Sequence, residues 1–259
     1  TIPAEGRTIE DVFTSIFTQE LQPSKTDPSV NITFSQAGAK EVGTTVNPSY
    51  SVSLNAGSYT YGPATGVTAT AWSVTDSDGN SDTAASASFP SFVVTDTTNY
   101  KITAVATHTD GVDALTNIGN VSNPLVKIAA GTKSKTSGAV TGYRCTFYGI
   151  LDDLNPLTSA TVRSLTNGGA VASKTITVKV NGDTNAKRII VAIPKASGKK
   201  VTKVNKTDGL VTDITTTYSI TEVLPVDGAN NVGDMKDYNI WTYQPASIDS
   251  AEVHEITIS

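Results

Sequence analysis

VTATAWSVTD at Val67–Asp76 and YKITAVATHT at Tyr100–Thr109 decide the fold class. In the first, Trp72 and Val74 alternate with Ser73 and Thr75; in the second, Ile102, Ala104 and Ala106 alternate with Thr103, Val105 and Thr107. Alternation with period two puts one set on a buried face and the other on a solvated face, which is the pattern of a half-buried strand. VNITFS (Val30–Ser35) and YSVSLN (Tyr50–Asn55) repeat it, and Gly, Asn, Asp and Pro punctuate the intervals. Strands at this spacing between residues 28 and 131 predict an immunoglobulin-like sandwich, with Trp72 plugging the space between two sheets.

Downstream, YRCTFYGIL, TITVKV, KRIIVAIP, KKVTKVN, YSITEVLP, DYNIWTYQP and EVHEITIS supply about seven more strands. In PLTSATVRSLT (Pro156–Thr166), Leu157, Ala160 and Leu165 share one side of a short helix capped by Asn155. A second sandwich carrying one helix is expected over 139–259. The stretch 132–138 is small, polar and glycine-containing, and reads as the linker. Ahead of both domains, residues 1–27 hold an N-terminal helix and linker: in TIEDVFTSIFTQEL (Thr8–Leu21), Ile9, Val12, Phe13, Ile16 and Phe17 recur at three- and four-residue intervals, with Thr8 and Asp11 at capping-box spacing. The expected fold class is therefore all-β, two consecutive β-sandwich domains behind a short amphipathic α-helix. So short a helix needs a partner for its stripe, either a domain of this chain or copies of itself, so these five residues are the candidate oligomer interface.

The composition narrows the function. Nineteen basic against 24 acidic residues give a net charge of -5 with no long run of one sign, so no nucleic-acid partner is expected. Cys145 is the single cysteine, which excludes an intramolecular disulfide and a paired-cysteine metal site; Cys145 sits on an apolar-rich strand and is expected to be a buried free thiol. No apolar run has the length of a membrane span, so no membrane insertion is expected. The chain starts at Thr1 without a methionine, and we expect it to be a C-terminal portion.

Catalytic patterns are not found. His108 and His254 each stand alone in a strand, and there is no phosphate-binding loop, dinucleotide fingerprint or GxSxG elbow, so neither enzymatic activity nor a cofactor is expected. Adjacent Asp152 and Asp153 point to opposite faces and cannot flank a sugar ring. In DSDGNSD, Asp76, Asp78, Asn80 and Asp82 place oxygens at alternate positions as a calcium loop does, yet the glycine is displaced and no closing glutamate follows; the same residues make a hairpin turn, and no metal is assigned. Tyr59 and Tyr61 flank a thin turn. With Asp76, Asp78 and Asn80 they are the candidate binding residues, on the argument that sandwich loops are free to carry recognition. A third such loop is Asp227–Asp234. Tyr238 and Ile240 share one face of their strand and Trp241 and Tyr243 the other, so one face is core and the second is core or a subunit interface.

Several ordered phrases carry a resemblance: EVGTTVNPSYSVSLNAGSYTYGPATGVTATAWSVTD, then ATHTDGVDALTNIGN and KIAAGTKS, then GYRCTFYGILDD with SATVRSLT, and RIIVAIPKASGKKVTKV. Together they resemble the C-terminal half of head-fibre and tail-fibre structural proteins of tailed bacteriophages of gut bacteria. The resemblance implies a virion-surface appendage, homo-oligomeric, in contact with other virion proteins and with host cell-surface glycans. It implies no active-site residues. A bacterial surface adhesin or carbohydrate-binding module shares the Thr-rich sandwich pattern and stays open as an alternative, and a glycan depolymerase would require paired carboxylates that the sequence does not place.

Overall fold

The computed structural model describes residues 8–10, 13, 20–117, 122–123, 126–152, 156–181, 187–231, 235–243 and 251–259. It is all-β, with sandwich-like units and little helix. Two compact units emerge, one from 1–37, 48–90 and 100–139, the other from 38–47, 91–99 and 140–259.

In the first unit, β1 (Ser29–Phe34), β2 (Ser49–Asn55) and β5 (Ser86–Ser88) form an antiparallel sheet in the order β1-β2-β5. A second sheet has the order β7-β6-β3-β4, from β3 (Ala69–Asp76), β4 (Ser81–Asp82), β6 (Ile102–His108) and β7 (Gly131–Thr136). The alternation read in the sequence is the burial pattern: Val30 and Phe34, Tyr50 and Val52, Val74, and Ile102, Ala104 and Ala106 are buried. The rings of Phe34 and Tyr100 meet with centroids 5.9 Å apart, and Tyr50 stacks on Phe89 at 5.3 Å. Trp72 lies on the inward face of β3 opposite Ala106 but stays half-buried; Val74, fully buried, is the residue that closes the interior.

The domain plan needs two corrections. Residues 132–138 are not a free connection, because Gly131–Thr136 pairs with β6 residue for residue from Thr103↔Thr136 to His108↔Gly131. As an edge strand, β7 keeps nearly all its residues exposed, so its small polar composition looks like that of a linker. Nor are 38–47 and 91–99 part of the first unit. Gly38–Glu41 runs parallel to Val140–Tyr143, Thr45–Val46 pairs with Phe92–Val93, and Val42, Val46 and Val94 are buried.

The second unit has a five-stranded sheet in the order β9-β8-β11-β15-β14, from β8 (Cys145–Asp152), β9 (Thr166–Ala170), β11 (Lys187–Pro194), β14 (Ser219–Val226) and β15 (Lys236–Tyr243). A four-stranded sheet in the order β10-β16-β12-β13 comes from β10 (Lys174–Val180), β12 (Val201–Lys206), β13 (Thr212–Asp213) and β16 (Glu252–Ile258). Ile189, Val191 and Ile193 of β11 pack with Ile176, Val204 and Ile256, while Ile190 and Ala192 pack on the opposite face with Phe147, Val162 and Tyr238. A strand buried on both faces reads as the continuous apolar run IIVAI rather than an alternation. The helix is Ser159–Arg163, and its cap is Thr158, paired with Thr161 in a capping box, instead of the expected Asn155, which lies outside the described residues. Arg163 of this helix pairs with Glu41 at 2.9 Å and lies 5.2 Å over the Phe147 ring, and Arg144 grips Asp96 through two bonds of 2.8 and 2.9 Å.

Gly142 marks the tightest backbone approach in this unit: a Cβ there would fall 2.0 Å from the Thr95 carbonyl oxygen. Gly142→Ala is expected to cost about 1–3 kcal/mol through forced backbone movement, measured by denaturant unfolding. Gly209→Ala, facing open space, is the control and is expected to leave the midpoint in place.

Candidate functional sites

His254 lies at the centre of a buried cluster of titratable side chains in the second unit. On β16 the residues Glu252, His254, Ile256 and Ile258 share the inward face, so the periodicity that buries the two isoleucines also buries the histidine, which is 0% exposed. Its Nε2 lies 2.8 Å from Glu252 Oε2 and its Nδ1 2.9 Å from the Tyr218 hydroxyl. A carboxylate only accepts, so Nε2 carries a proton; in the neutral imidazole the Tyr218 hydroxyl then donates to Nδ1. Lys206 donates to Glu252 Oε1 at 2.7 Å and reaches Asp208 at 3.3 Å. Tyr243 closes the group, stacked on Tyr218 at 5.4 Å and tilted 4.9 Å from the imidazole.

Burial works against the Glu252 carboxylate, but the hydrogen bonds from Lys206 and His254 outweigh it and hold its pKa below the ordinary 4.5. Burial pushes the hydroxyls of Tyr218 and Tyr243 up, with the Glu252 charge adding to both. The constellation has the parts of an acid–base relay but presents no face of the imidazole to solvent. Its chemistry is cohesive: three buried polar groups satisfy one another between the sheets. Reading His254 as an isolated histidine missed it because Tyr218 is 36 positions away; the signal present in the sequence was the shared face with Ile256 and Ile258.

The expected binding residues fall into two separate places. Asp76 Oδ1 accepts from the amides of Asp78 and Asn80, and Oδ2 from Asn80 Nδ2 and the Tyr100 hydroxyl, at 2.8–3.0 Å. Four donors fill the carboxylate, so Asp76 is a turn-forming residue with Asp78 and Asn80 as its partners; Gly79 supplies the φ of 89° the hairpin needs. Among the described residues no group of His, Cys, Asp or Glu is arranged to hold a metal ion. Tyr59 donates to the Val112 carbonyl at 2.8 Å and accepts from the Ile128 amide at 3.1 Å, so its hydroxyl pins neighbouring loops; Tyr61 is half-buried on the adjoining turn. The loops that Tyr59 pins follow His108, at the Ala69 end of β3, whereas Asp76 ends that strand. The eight residues of β3 put the two places roughly 23 Å apart, too far to share one small ligand.

No family model matches this chain, and no curated protein or solved structure matches it either. The remaining expectations rest on geometry. Ile9 and Phe13 take helical backbone and are 78% and 56% exposed, while Val12, Ile16 and Phe17 lie outside the described residues. Of the Asp227–Asp234 loop, 232–234 lie outside them too. Tyr238 is buried, and Trp241 and Tyr243 pack half-buried against the inter-sheet core, so both faces of that strand are interior. Cys145 is a buried thiol pushed up to about 11 by its burial, which suppresses the thiolate. No described helix is long and apolar enough to cross a membrane.

A carboxylate whose folded pKa is depressed contributes stability above its unfolded value and loses it as pH falls through the folded one. Wild-type stability is therefore expected to fall as pH drops below 4.5 through the folded Glu252 value. Glu252→Gln should be about 2 kcal/mol less stable at neutral pH, from loss of charged hydrogen bonds, and its acid limb flatter. Parallel pH profiles of the melting temperature would contradict the coupling.

Proposed function

We propose that this chain is a non-catalytic structural part of a bacteriophage virion, a head-fibre or tail-fibre type appendage that projects β units and contacts host-surface glycans. The observation that carries the reading is the closed state of the second unit's most reactive constellation: His254 is wholly buried, and its two ring nitrogens are occupied by Glu252 and Tyr218. Filled interiors leave edges and loops as the surfaces available for recognition. The first unit, with sheets of three and four strands, is read as an immunoglobulin-like module, a fold that hosts binding more readily than it dictates chemistry.

The ordered phrases from Glu41 to Val204 that resemble phage fibre proteins supply the virion assignment. The exposed Ile9 and Phe13 supply the expectation of a homo-oligomer. Many copies on one particle turn weak single contacts into firm attachment, so a tight individual site is not required.

Gold-labelled antibody raised against the chain is expected to decorate intact phage particles at the head or the tail. Labelling confined to bacterial cells from phage-free cultures would overturn the virion reading in favour of a bacterial surface adhesin.

A further inference from the structure

The described sheets of the second unit end in β9 and β14 on one side of the sandwich core and in β10 and β13 on the other. An edge strand carries a row of unpaired N–H and C=O groups and pairs with another chain unless it is blunted. Three of these edges are blunted. β14 carries Pro225 and a register break between Ile220 and Glu222, β9 carries Gly168 and Gly169 and a register break against β8, and β13 has only two residues. β10 differs from them. Its sequence KTITVKV has no proline and no glycine, and it pairs with β16 without a break from Lys174↔Ile258 to Val180↔Glu252. Its other side faces no described strand.

Which backbone groups of β10 are left over follows from the bonding of β16. Opposed residues of an antiparallel pair alternate between exchanging two hydrogen bonds and exchanging none. On the far side of β16, Ser259 exchanges both bonds with Lys200 at 3.0 and 3.1 Å, and the Val253 carbonyl accepts from the Thr207 amide at 2.8 Å, so the odd-numbered residues bond toward β12. The even-numbered ones, Glu252, His254, Ile256 and Ile258, therefore bond toward Val180, Val178, Ile176 and Lys174 of β10. Thr175, Thr177 and Lys179 keep N–H and C=O groups directed away from the sheet, and no described backbone group bonds to them. Their side chains are exposed, while Ile176, Val178 and Val180 are buried. Lys174, the charge on the inward row, is already engaged by the Gly168 and Ala170 carbonyls at 2.5 and 3.4 Å.

We infer that β10 is a self-association edge, pairing antiparallel with β10 of a second copy about a two-fold axis at Thr177. The strand is self-complementary in that register. Thr177 meets the partner's Thr177 and Thr175 meets the partner's Lys179, so the residues with free backbone groups face one another and each such pair exchanges two hydrogen bonds. On the inward face Ile176 meets the partner's Val178 and carries the apolar row from one copy into the next. Thr lies opposite Thr and Lys opposite Thr, so no like charges are opposed. An isologous contact of this kind closes at two copies. The edge is distinct from the Ile9 and Phe13 stripe, and the inference goes beyond the homo-oligomer expected from that stripe.

Sedimentation velocity of the full chain carrying Phe13→Asp, which disables the helical stripe, provides the test. The mass is expected to rise from one copy toward two with concentration. Thr177→Pro deletes an outward N–H and leaves the bonds to β16 in place, and proline is tolerated where a strand's N–H faces solvent, so this variant should melt with its parent. Its dissociation constant should rise at least about tenfold, the effect of two lost hydrogen bonds across the two-fold axis. Thr177→Val keeps the N–H and a β-branched side chain and should associate as the parent does. Hydrogen exchange in the parent reads the same edge without a variant at Thr177: the amides of Thr175, Thr177 and Lys179 should exchange more slowly as concentration rises, while those of Ile176 and Val178 stay unchanged. A single-copy mass at every concentration, association unaffected by Thr177→Pro in the folded variant, or exchange at the three amides that ignores concentration would each overturn the proposal. If Thr177→Pro does not fold, the exchange measurement decides.

Discussion

Ile189, Ile190, Val191, Ala192 and Ile193 are all fully buried, and a strand without a solvent face has to be covered twice. The four-stranded sheet covers one side. The helix Ser159–Arg163, with Phe147 and Tyr238, packs on the other. At about 2 kcal/mol for each large side chain taken from water, this strand outweighs the exposed Lys–Asp pairs, which contribute at most about 1 kcal/mol each. Two ion pairs join segments distant in sequence. Arg144 with Asp96 and Arg163 with Glu41 attach segments 91–99 and 38–47 to the second unit; losing Asp96 would strand the buried Arg144, and losing either partner of the Arg163–Glu41 pair would strand the other.

The same requirement disposes of the polar groups. His254 shares an inward face with isoleucines and must find partners inside; Glu252, Tyr218 and Lys206 provide them. In the first unit Asp76, at the inner end of its strand, is filled by its own hairpin and by Tyr100. Both constellations attract attention in a sequence because their residue types do chemistry elsewhere, and in both the hydrogen bonds are spent on holding strands together.

Strands were legible wherever one face is buried, because alternation in Ser49–Asn55 or Ile102–His108 is the direct record of that burial. The doubly buried run at Lys187–Pro194 was legible as a strand through its length and β-branched content, though not as the centre of a sheet. Harder to read were features set by distant residues. An exposed edge strand such as Gly131–Thr136 has the composition of a linker, since neither of its faces needs apolar side chains. Segments 38–47 and 91–99 carry no local mark of the unit they join; only pairing with Val140–Tyr143 and the Arg144 and Arg163 contacts assign them.

An appendage that acts by display differs from an enzyme in what it does to the polymer it holds. Multimerised protein incubated with host capsular polysaccharide, with retention on the polymer and release of reducing ends followed in the same sample, separates the two. Retention that grows with multimer valency, with no new reducing ends, is expected of a display protein. Reducing ends accumulating with protein concentration would contradict it.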